Sequence, residues 1–268
     1  MADLPLLLVD AFTDRPFAGN PAGVCLADRP LPNDWMQSLA MEMNQAETAF
    51  VGPPAADGTR PLRWFTPAVE VDLCGHATLA AAHALWDTGA AQPGEVIRFT
   101  TRSGVLTATR TADGIELDFP LTPAAPTTPP PGLLEAVGVS PTAVGRTKFD
   151  YLLEVATAAE VRAAAPDFRK LAGIESRGVI LTAPSDDPRF DFISRFFAPA
   201  AGIDEDPVTG SAHCCLADHW GRKLGKGAMV GFQASRRGGA VRVAVTGERV
   251  KLCGRAVTVV RGAAAGPR

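Results

Sequence analysis

Two short segments of the sequence combine polar side chains with small residues directly before an apolar run. Residues 71–78 read VDLCGHAT, and residues 204–213 read DEDPVTGSAH. A turn of small residues that opens a helix leaves backbone N–H groups available to an anion. We therefore expect Gly75 and Gly210 to offer backbone donors, and Ser211 a hydroxyl, to a small carboxylate. The alternative is that each glycine only forms the turn before a buried helix.

The two segments also share what precedes them. Each follows an aromatic–x–Pro motif, at residues 65–67 (FTP) and 197–199 (FAP), and the second copy has three extra residues before its glycine. This pattern predicts an internal duplication, in which two half-molecules each offer one helix N-terminus to a shared cleft.

Glu47 is the candidate proton-transfer group. It lies in the polar stretch NQAET, residues 44–48, just before an apolar strand. A carboxylate turned into an apolar cleft has a raised pKa, so it can both take and return a proton. The alternative is an exposed glutamate at the start of a strand.

His76 and Asp206 are the candidates for stabilising, through hydrogen bonds, the charge that develops on the substrate. His76 would stand at a helix start, where the positive end of the helix dipole disfavours the imidazolium, so we expect a neutral ring. Pro207 biases Asp206 toward an extended backbone, which would direct its side chain into the cleft.

The remaining histidines and cysteines indicate no metal site. His213, Cys214 and Cys215 would fan out around a helix, and His83 is expected to be an interior histidine. Cys74 stands where a thiol base would act, but the matching position in the second copy is Thr209. A two-thiol racemase would therefore lack one base.

Composition describes an ordinary globular protein of 268 residues with 46% hydrophobic and 21% charged residues. Its net charge of −3 gives no sign of nucleic-acid or anionic-membrane binding. The five cysteines are scattered and odd in number, which argues against a disulfide framework. No secretory signal or apolar run of about 20 residues is found, so we expect a cytoplasmic protein.

The predicted fold class is α+β, with two pseudo-symmetric halves that each wrap a bent sheet around a central apolar helix. The first half covers 1–119 and carries Glu47 and the helix start at Cys74, Gly75 and His76. A Pro-rich linker covers 120–131, and the second half covers 132–268 with the helix start at Asp206 to Ser211. The sequence allows the last strand, 256–260, to belong to either half.

Four blocks of sequence resemble the signatures of the phenazine-biosynthesis-like, PhzF-type isomerases. They occur in the family's order along nearly the whole chain: NPA at 20–22, NQAETAF at 44–50, EVDLCGHAT at 70–78 and DEDPVTGSA at 204–212. The resemblance implies the diaminopimelate epimerase fold, with two pseudo-symmetric halves and a site between them. It also implies a homodimer that works without cofactor or metal, as in the isomerisation of trans-2,3-dihydro-3-hydroxyanthranilate.

The same resemblance implies a role for each matched residue. Glu47 would be the proton shuttle between two carbons on one face of the substrate. His76, Asp206 and Ser211 would hold and polarise the substrate, with Asn20 also in the binding site. Gly75 and Gly210 would donate backbone N–H groups to its carboxylate.

The residues and the resemblance are therefore compatible with three functions. The first is a cofactor-independent isomerase of a small carboxylate-bearing substrate, with Glu47 as its base. The second is an epimerase or racemase of an amino or hydroxy acid that uses Glu47 with Cys74. The third is a non-catalytic protein that binds a small acid.

Overall fold

The computed structural model describes residues 3–267, which fall into two compact units. The first unit comprises the described residues of Met1–Asp118 and Cys253–Arg268, and the second comprises Phe119–Leu252. The predicted halves 1–119 and 132–268 include Met1, Ala2 and Arg268, which lie outside the described residues.

The chain up to residue 120 is mainly strands, with two helices among them. Its elements are β1 (Leu4–Ala11), β2 (Asn20–Leu26), α1 (Asn33–Met43), β3 (Glu47–Val51), β4 (Arg60–Phe65), β5 (Glu70–Val71), α2 (Gly75–Asp87), β6 (Ile97–Thr101), β7 (Gly104–Arg110) and β8 (Ile115–Pro120).

The rest of the chain adds further strands and several short helices before one long helix. Its elements are β9 (Ala125–Pro126), α3 (Leu133–Val137), β10 (Ala143–Arg146), β11 (Asp150–Glu154), α4 (Ala158–Ala163), α5 (Phe168–Leu171), β12 (Gly178–Pro184), β13 (Phe192–Ala198), a 3-10 turn (Pro199–Ala201), β14 (Ile203–Glu205), α6 (Gly210–Leu224), β15 (Ala228–Gln233), β16 (Gly239–Thr246), β17 (Arg249–Gly254) and β18 (Ala256–Ala264).

In the first unit, a sheet of mixed direction packs on α2. Strand β1 lies between β2 and β18 and is antiparallel to both, while β2 runs parallel to β3. Helix α2 packs against β1, β2, β3 and β18. Alanine and leucine occupy nearly every side of this helix. The helix therefore removes most apolar surface from water when neighbouring elements cover it on all sides.

The second unit repeats this plan with α6 as its long helix. Strand β12 lies between β11, its parallel neighbour, and β13, which is antiparallel to it; β13 then runs parallel to β15. Helix α6 packs against β15 and β16. A separate apolar cluster joins α3, α4 and α5 to this sheet through residues such as Leu133, Val161 and Phe197.

The predicted duplication is confirmed in the segments that lead to each long helix. In the first unit, Phe65 pairs with Glu70 in an antiparallel strand pair just before α2. In the second unit, Phe197 pairs with Glu205 in the same way before α6. The residues that precede the two helices, Cys74 and Thr209, are both extended N-cap residues without a side-chain cap.

One predicted domain boundary differs in the structure, and one open assignment is resolved. The segment 120–131 belongs to the second unit, where β9 pairs with β10 and the N–H of Leu121 donates to the carbonyl of Glu248. Prolines at a sheet edge need no ladder partner, so a Pro-rich strand is possible there. The last strand, β18, belongs to the first unit and pairs with β1.

Within the described part of the chain, none of the helices has the length and apolar character needed to cross a membrane.

Candidate active site

Glu47 is the first residue of β3 and lies at one end of the first unit's sheet. Strands β2 and β3 are parallel, with Ala22 opposite Glu47, so Asn20 at the start of β2 lies toward the same end. The side chain of Glu47 is 16% exposed, and Asn20 is fully buried. The carboxylate is thus largely shielded from water but still accessible, as a proton-transfer group requires.

His76, the second residue of α2, faces this carboxylate. Its Nε2 lies 3.4 Å from Oε2 of Glu47. Burial lowers the pKa of His76 to about 3, so the ring is neutral near pH 7, and the contact is not an ion pair. The neutral ring agrees with the sequence-based expectation, although its cause is burial and not the helix dipole.

Cys74 lies on the other side of the same ring. Its Sγ is 3.5 Å from Nδ1 of His76, and both side chains are buried. A thiol that donates to Nδ1 leaves the imidazole proton on Nε2, and we infer this tautomer from the contacts. Nε2 lies near the Glu47 carboxylate but makes no hydrogen bond within the described residues. Cys74, His76 and Glu47 therefore form a short polar chain inside one unit.

The first turn of α2 presents open backbone donors beside this chain. The carbonyl of Cys74 accepts from the N–H of Thr78 at 3.2 Å and from its hydroxyl at 2.5 Å, which starts the helix. The side chain of Cys74 makes no capping hydrogen bond, so the N–H groups of the first turn keep no side-chain acceptor from the N-cap. Gly75 is the first residue of α2, and its role as a backbone donor stays a prediction.

The loop that leads into Asn20 is held in a narrowly allowed conformation. Phe12 and Phe17 both have positive φ angles, of 61° and 65°. The N–H of Phe17 donates to Oδ2 of the buried Asp10 at 2.7 Å. Gly19 has φ of +64°, and a Cβ there would lie 2.1 Å from the carbonyl oxygen of Ala11. This geometry requires glycine and fixes the entry into β2.

In the second unit, Asp206 is tied to the residue that precedes α6. The hydroxyl of Thr209 donates to Oδ2 of Asp206 at 2.5 Å, and the N–H of Asp206 donates to the carbonyl of Phe196 at 3.0 Å. Gly210 and Ser211 follow as the first two residues of α6. The structure thus brings Asp206, Gly210 and Ser211 together in one unit, and Asn20, Glu47, Gly75 and His76 lie in the other.

Gln233, at the end of β15, is a positioning residue that sequence reasoning missed. Its amide oxygen accepts from the N–H of Thr209 at 2.8 Å, and its amide nitrogen donates to the carbonyl of Asp206 at 2.6 Å. The side chain is fully buried. A polar residue that ends an apolar strand is the only sequence signal, and it does not indicate which loop the side chain would reach.

Replacing Gln233 with leucine tests this role. We expect Gln233→Leu to lower the free energy of unfolding by at least about 2 kcal/mol, because it leaves two buried backbone groups without their partner. Urea unfolding measures the change, and Gln92→Leu at an exposed position serves as the control. Equal stability of Gln233→Leu and the unmodified protein would contradict the assignment.

Arg177 was also missed, and it lies beside Ser211. One nitrogen, Nη2, donates to Oγ of Ser211 at 3.0 Å, and the guanidinium forms a two-point ion pair with the buried carboxylate of Asp150. The guanidinium also lies over the ring of Phe149, 5.1 Å from its centroid. Because the serine oxygen accepts from Arg177, its own proton is available to a group at the start of α6.

Of the histidines and cysteines predicted not to bind metal, His213, Cys214 and Cys215 are buried, whereas His83, predicted to be interior, is 19% exposed. The ring of His213 is buried, and its Nδ1 donates to the carbonyl of Thr209 at 2.9 Å. Burial raises the pKa of Cys214 and of Cys215 to about 12, so both are thiols near neutral pH. His83 donates through Nε2 to the hydroxyl of Thr258 at 3.1 Å. In the described residues, the group that could hold a metal is Glu47, Cys74 and His76.

Comparison with known proteins gives the same family over nearly the full chain. A family model described as phenazine biosynthesis-like protein matches residues 9–262. An isomerase from Halalkalibacterium halodurans is 48% identical over 262 residues, which is 97% of this chain and 98% of the relative.

Solved structures agree in fold. A crystal structure of a PhzF-family phenazine biosynthesis protein from Enterococcus faecalis has a TM-score of 0.93 at 37% identity, covering 98% of this chain and 100% of that one. A hydroxyproline epimerase from Agrobacterium vitis has a TM-score of 0.62 at 15% identity, covering 98% of this chain and 92% of that one. That second likeness concerns the fold alone. The chain belongs to the phenazine biosynthesis-like, PhzF-type family and is an enzyme of the isomerase class.

Proposed function

We propose that this enzyme isomerises a small carboxylate-bearing substrate by moving one proton between two carbons, with Glu47 as the single shuttle and no cofactor. The reaction would resemble that of trans-2,3-dihydro-3-hydroxyanthranilate isomerase. The observation that supports this most directly is the contact between a largely shielded Glu47 carboxylate and a neutral His76 ring at 3.4 Å.

The proton steps balance within the substrate and Glu47. The ionised carboxylate removes a proton from a carbon next to an electron-withdrawing group, and the electron pair of that C–H bond moves into the conjugated system. The same carboxyl group, which is partly exposed and can trade its proton for one from solvent, then returns a proton to another carbon on the same face, which regenerates the carboxylate. An isomerisation therefore needs one acid–base group if substrate and group stay together between the two steps.

His76 assists by donating a hydrogen bond while remaining neutral. An N–H on Nε2 can hold the carboxylate of Glu47 in place or bind charge that develops on the substrate. A neutral imidazole does this without competing for the proton, because protonating it further would bury a charge.

The start of each long helix is suited to an anion. Backbone N–H groups at Gly75 and Gly210, the first residues of α2 and α6, are suited to an anion through both their free donors and the helix dipole. We assign substrate binding to these two glycines, to Ser211, whose hydroxyl is oriented by Arg177, and to Asn20. Asp206, held by Thr209, is assigned to polarising the substrate.

A screen for proton exchange tests the proposal. Small carboxylic acids are incubated with the enzyme in heavy water, and NMR follows the loss of carbon-bound proton signals. A true substrate loses a proton signal at one carbon as a new isomer appears. The carboxylate assignment would be contradicted if none of the small acids underwent exchange or isomerisation and neutral compounds did.

The alternative function is an epimerase that uses Cys74 as a second base beside Glu47. Cys74 is next to His76, but Thr209 occupies the matching N-cap position in the second unit and cannot act as a base near neutral pH. We expect Cys74→Ala to keep its exchange rate within about tenfold of the unmodified enzyme. A loss of about a thousandfold, in the range of a general base, would favour the epimerase.

We also propose that the enzyme is a homodimer, by analogy with the family member studied for this reaction. Light scattering on the purified protein would then give twice the mass of one chain. A mass of one chain at every concentration tested would contradict this proposal.

A further inference from the structure

Three metal-ligating side chains converge in the first unit at the candidate active site. Glu47, Cys74 and His76 each offer one ligand atom, and these atoms lie within 4.8 Å of one another. His213, Cys214 and Cys215 are adjacent in sequence, but on a helix they fan out and do not converge on a metal. The cluster in the structure instead joins the start of β3 to the start of α2.

The spacing of these atoms is close to that of a zinc site. Zn²⁺ binds thiolate sulfur at about 2.3 Å and imidazole or carboxylate atoms at about 2.0–2.2 Å, so neighbouring ligand atoms in a tetrahedral site are about 3.3–3.8 Å apart. Two contacts already have this length: 3.5 Å from Cys74 to His76, and 3.4 Å from His76 to Glu47.

The two contacts use different nitrogens of the imidazole, and a metal takes only one of them. The third ligand must therefore move inward from a distance of at most 4.8 Å. Glu47 is the most exposed of the three side chains, at 16%, and is the one that would move, because Cys74 and His76 stand at the start of α2 and are buried. Three protein ligands leave a fourth position open, which is the pattern of an accessible zinc site and not of a closed structural one.

The donor set selects the kind of metal. A thiolate with an imidazole favours Zn²⁺ and similar thiophilic ions, whereas Mg²⁺ and Ca²⁺ prefer oxygen ligands alone. On binding, the thiol of Cys74 gives up its proton to solvent, His76 binds as neutral imidazole and Glu47 binds as carboxylate. One proton is released for each Zn²⁺ bound, with no redox change.

We propose that Glu47, Cys74 and His76 form an inhibitory site for Zn²⁺. The metal takes the same carboxylate oxygen that the proposed function requires for proton transfer, so metal binding and proton shuttling exclude each other. A chelator restores the free carboxylate. The inhibition rests on the proposed function, whereas the metal site itself does not.

Cobalt binding tests the site without any substrate. Co²⁺ is added to reduced, chelator-treated enzyme, and the thiolate-to-cobalt absorption band is followed until Zn²⁺ displaces it. We expect the band in the unmodified enzyme and in Cys253→Ser, whose thiol has the same 7% exposure as Cys74 and lies in the same unit. Cys74→Ser should lose the band, and Glu47→Gln should keep it with Co²⁺ affinity lowered by about 10–100-fold.

The outcomes separate the site from the function. Absence of the thiolate band, or an equal band in Cys74→Ser, overturns the metal site whatever the enzyme's activity. Circular dichroism confirms that each variant is folded, and His76→Asn gives a second variant that should weaken Co²⁺ binding. If Co²⁺ binds as expected but proton exchange continues at saturating Zn²⁺, the inhibitory role is overturned and the proposed function stands. Loss of exchange that a chelator reverses supports both.

Discussion

Glu47→Gln lowers the rate of solvent proton exchange into any identified substrate by about a thousandfold. Glutamine keeps the size of the side chain and an oxygen that can accept a hydrogen bond, but its amide does not take up a proton near neutral pH. General acid–base groups typically contribute about 10²–10⁴-fold to rate, and here one group serves both steps. The measurement is the exchange rate in heavy water by NMR, made at saturating substrate so that weaker binding does not contribute.

A matched control variant separates the loss of proton transfer from the loss of one negative charge. Glu42, five residues earlier, is exposed on α1, and Glu42→Gln makes the same change in net charge. It should leave the exchange rate within about twofold of the unmodified enzyme, because a surface charge on α1 is screened by solvent. Substrate binding by Glu47→Gln, measured by calorimetry, should persist. Exchange by Glu47→Gln at the unmodified rate would remove Glu47 from the mechanism.

The helix starts were predictable because their signals are local. A glycine after an extended residue and before an alanine-rich run indicates a turn into a buried helix, and α2 and α6 begin at Gly75 and Gly210. The matched lead-ins at Phe65 and Phe197 pair with Glu70 and Glu205, so the duplication was also visible in the sequence. The contact of Glu47 with His76 was not predicted, since the two residues are 29 positions apart and no local signal joins them.

Residues that act through long-range contacts could not be found in the same way. Gln233 lies 24 residues beyond Thr209, and Arg177 lies 34 residues before Ser211. Neither stands in a motif, and a single amide or guanidinium has many surface roles. What identifies them is burial together with a specific partner, which depends on the packing of β15 and on the ion pair with Asp150.

For the Pro-rich segment, a clear local signal led to a wrong prediction of the domain boundary. Composition indicates a stiff linker at 120–131, because many prolines favour an extended chain without regular partners. An extended chain is also what a sheet edge accepts, and β9 pairs with β10 over Ala125 and Pro126. Proline content therefore predicts the local conformation well and the domain boundary poorly.

Stability falls as pH is lowered below about 6.5, and His213 is one source of this fall. Its Nδ1–H donates to the Thr209 carbonyl, so a second proton would add on Nε2, a buried atom without a hydrogen-bond partner among the described residues. Burial therefore lowers the pKa of His213 from 6.5 to about 4. Between these values the unfolded chain binds a proton that the folded chain does not, which destabilises the fold by about 1.4 kcal/mol per pH unit and by about 3 kcal/mol in all.

Comparing His213→Gln with the unmodified protein isolates this contribution. His76, whose pKa is also lowered by burial, is present in both proteins, so its effect cancels in the difference. Urea unfolding from about pH 7.5 down to about pH 4.5 should give two curves that converge as pH falls, because glutamine binds no proton in either state. His83→Gln, at a partly exposed site, should change the slope less. Parallel curves for His213→Gln and the unmodified protein would mean that His213 is protonated equally in both states, and the buried neutral ring would have to be abandoned.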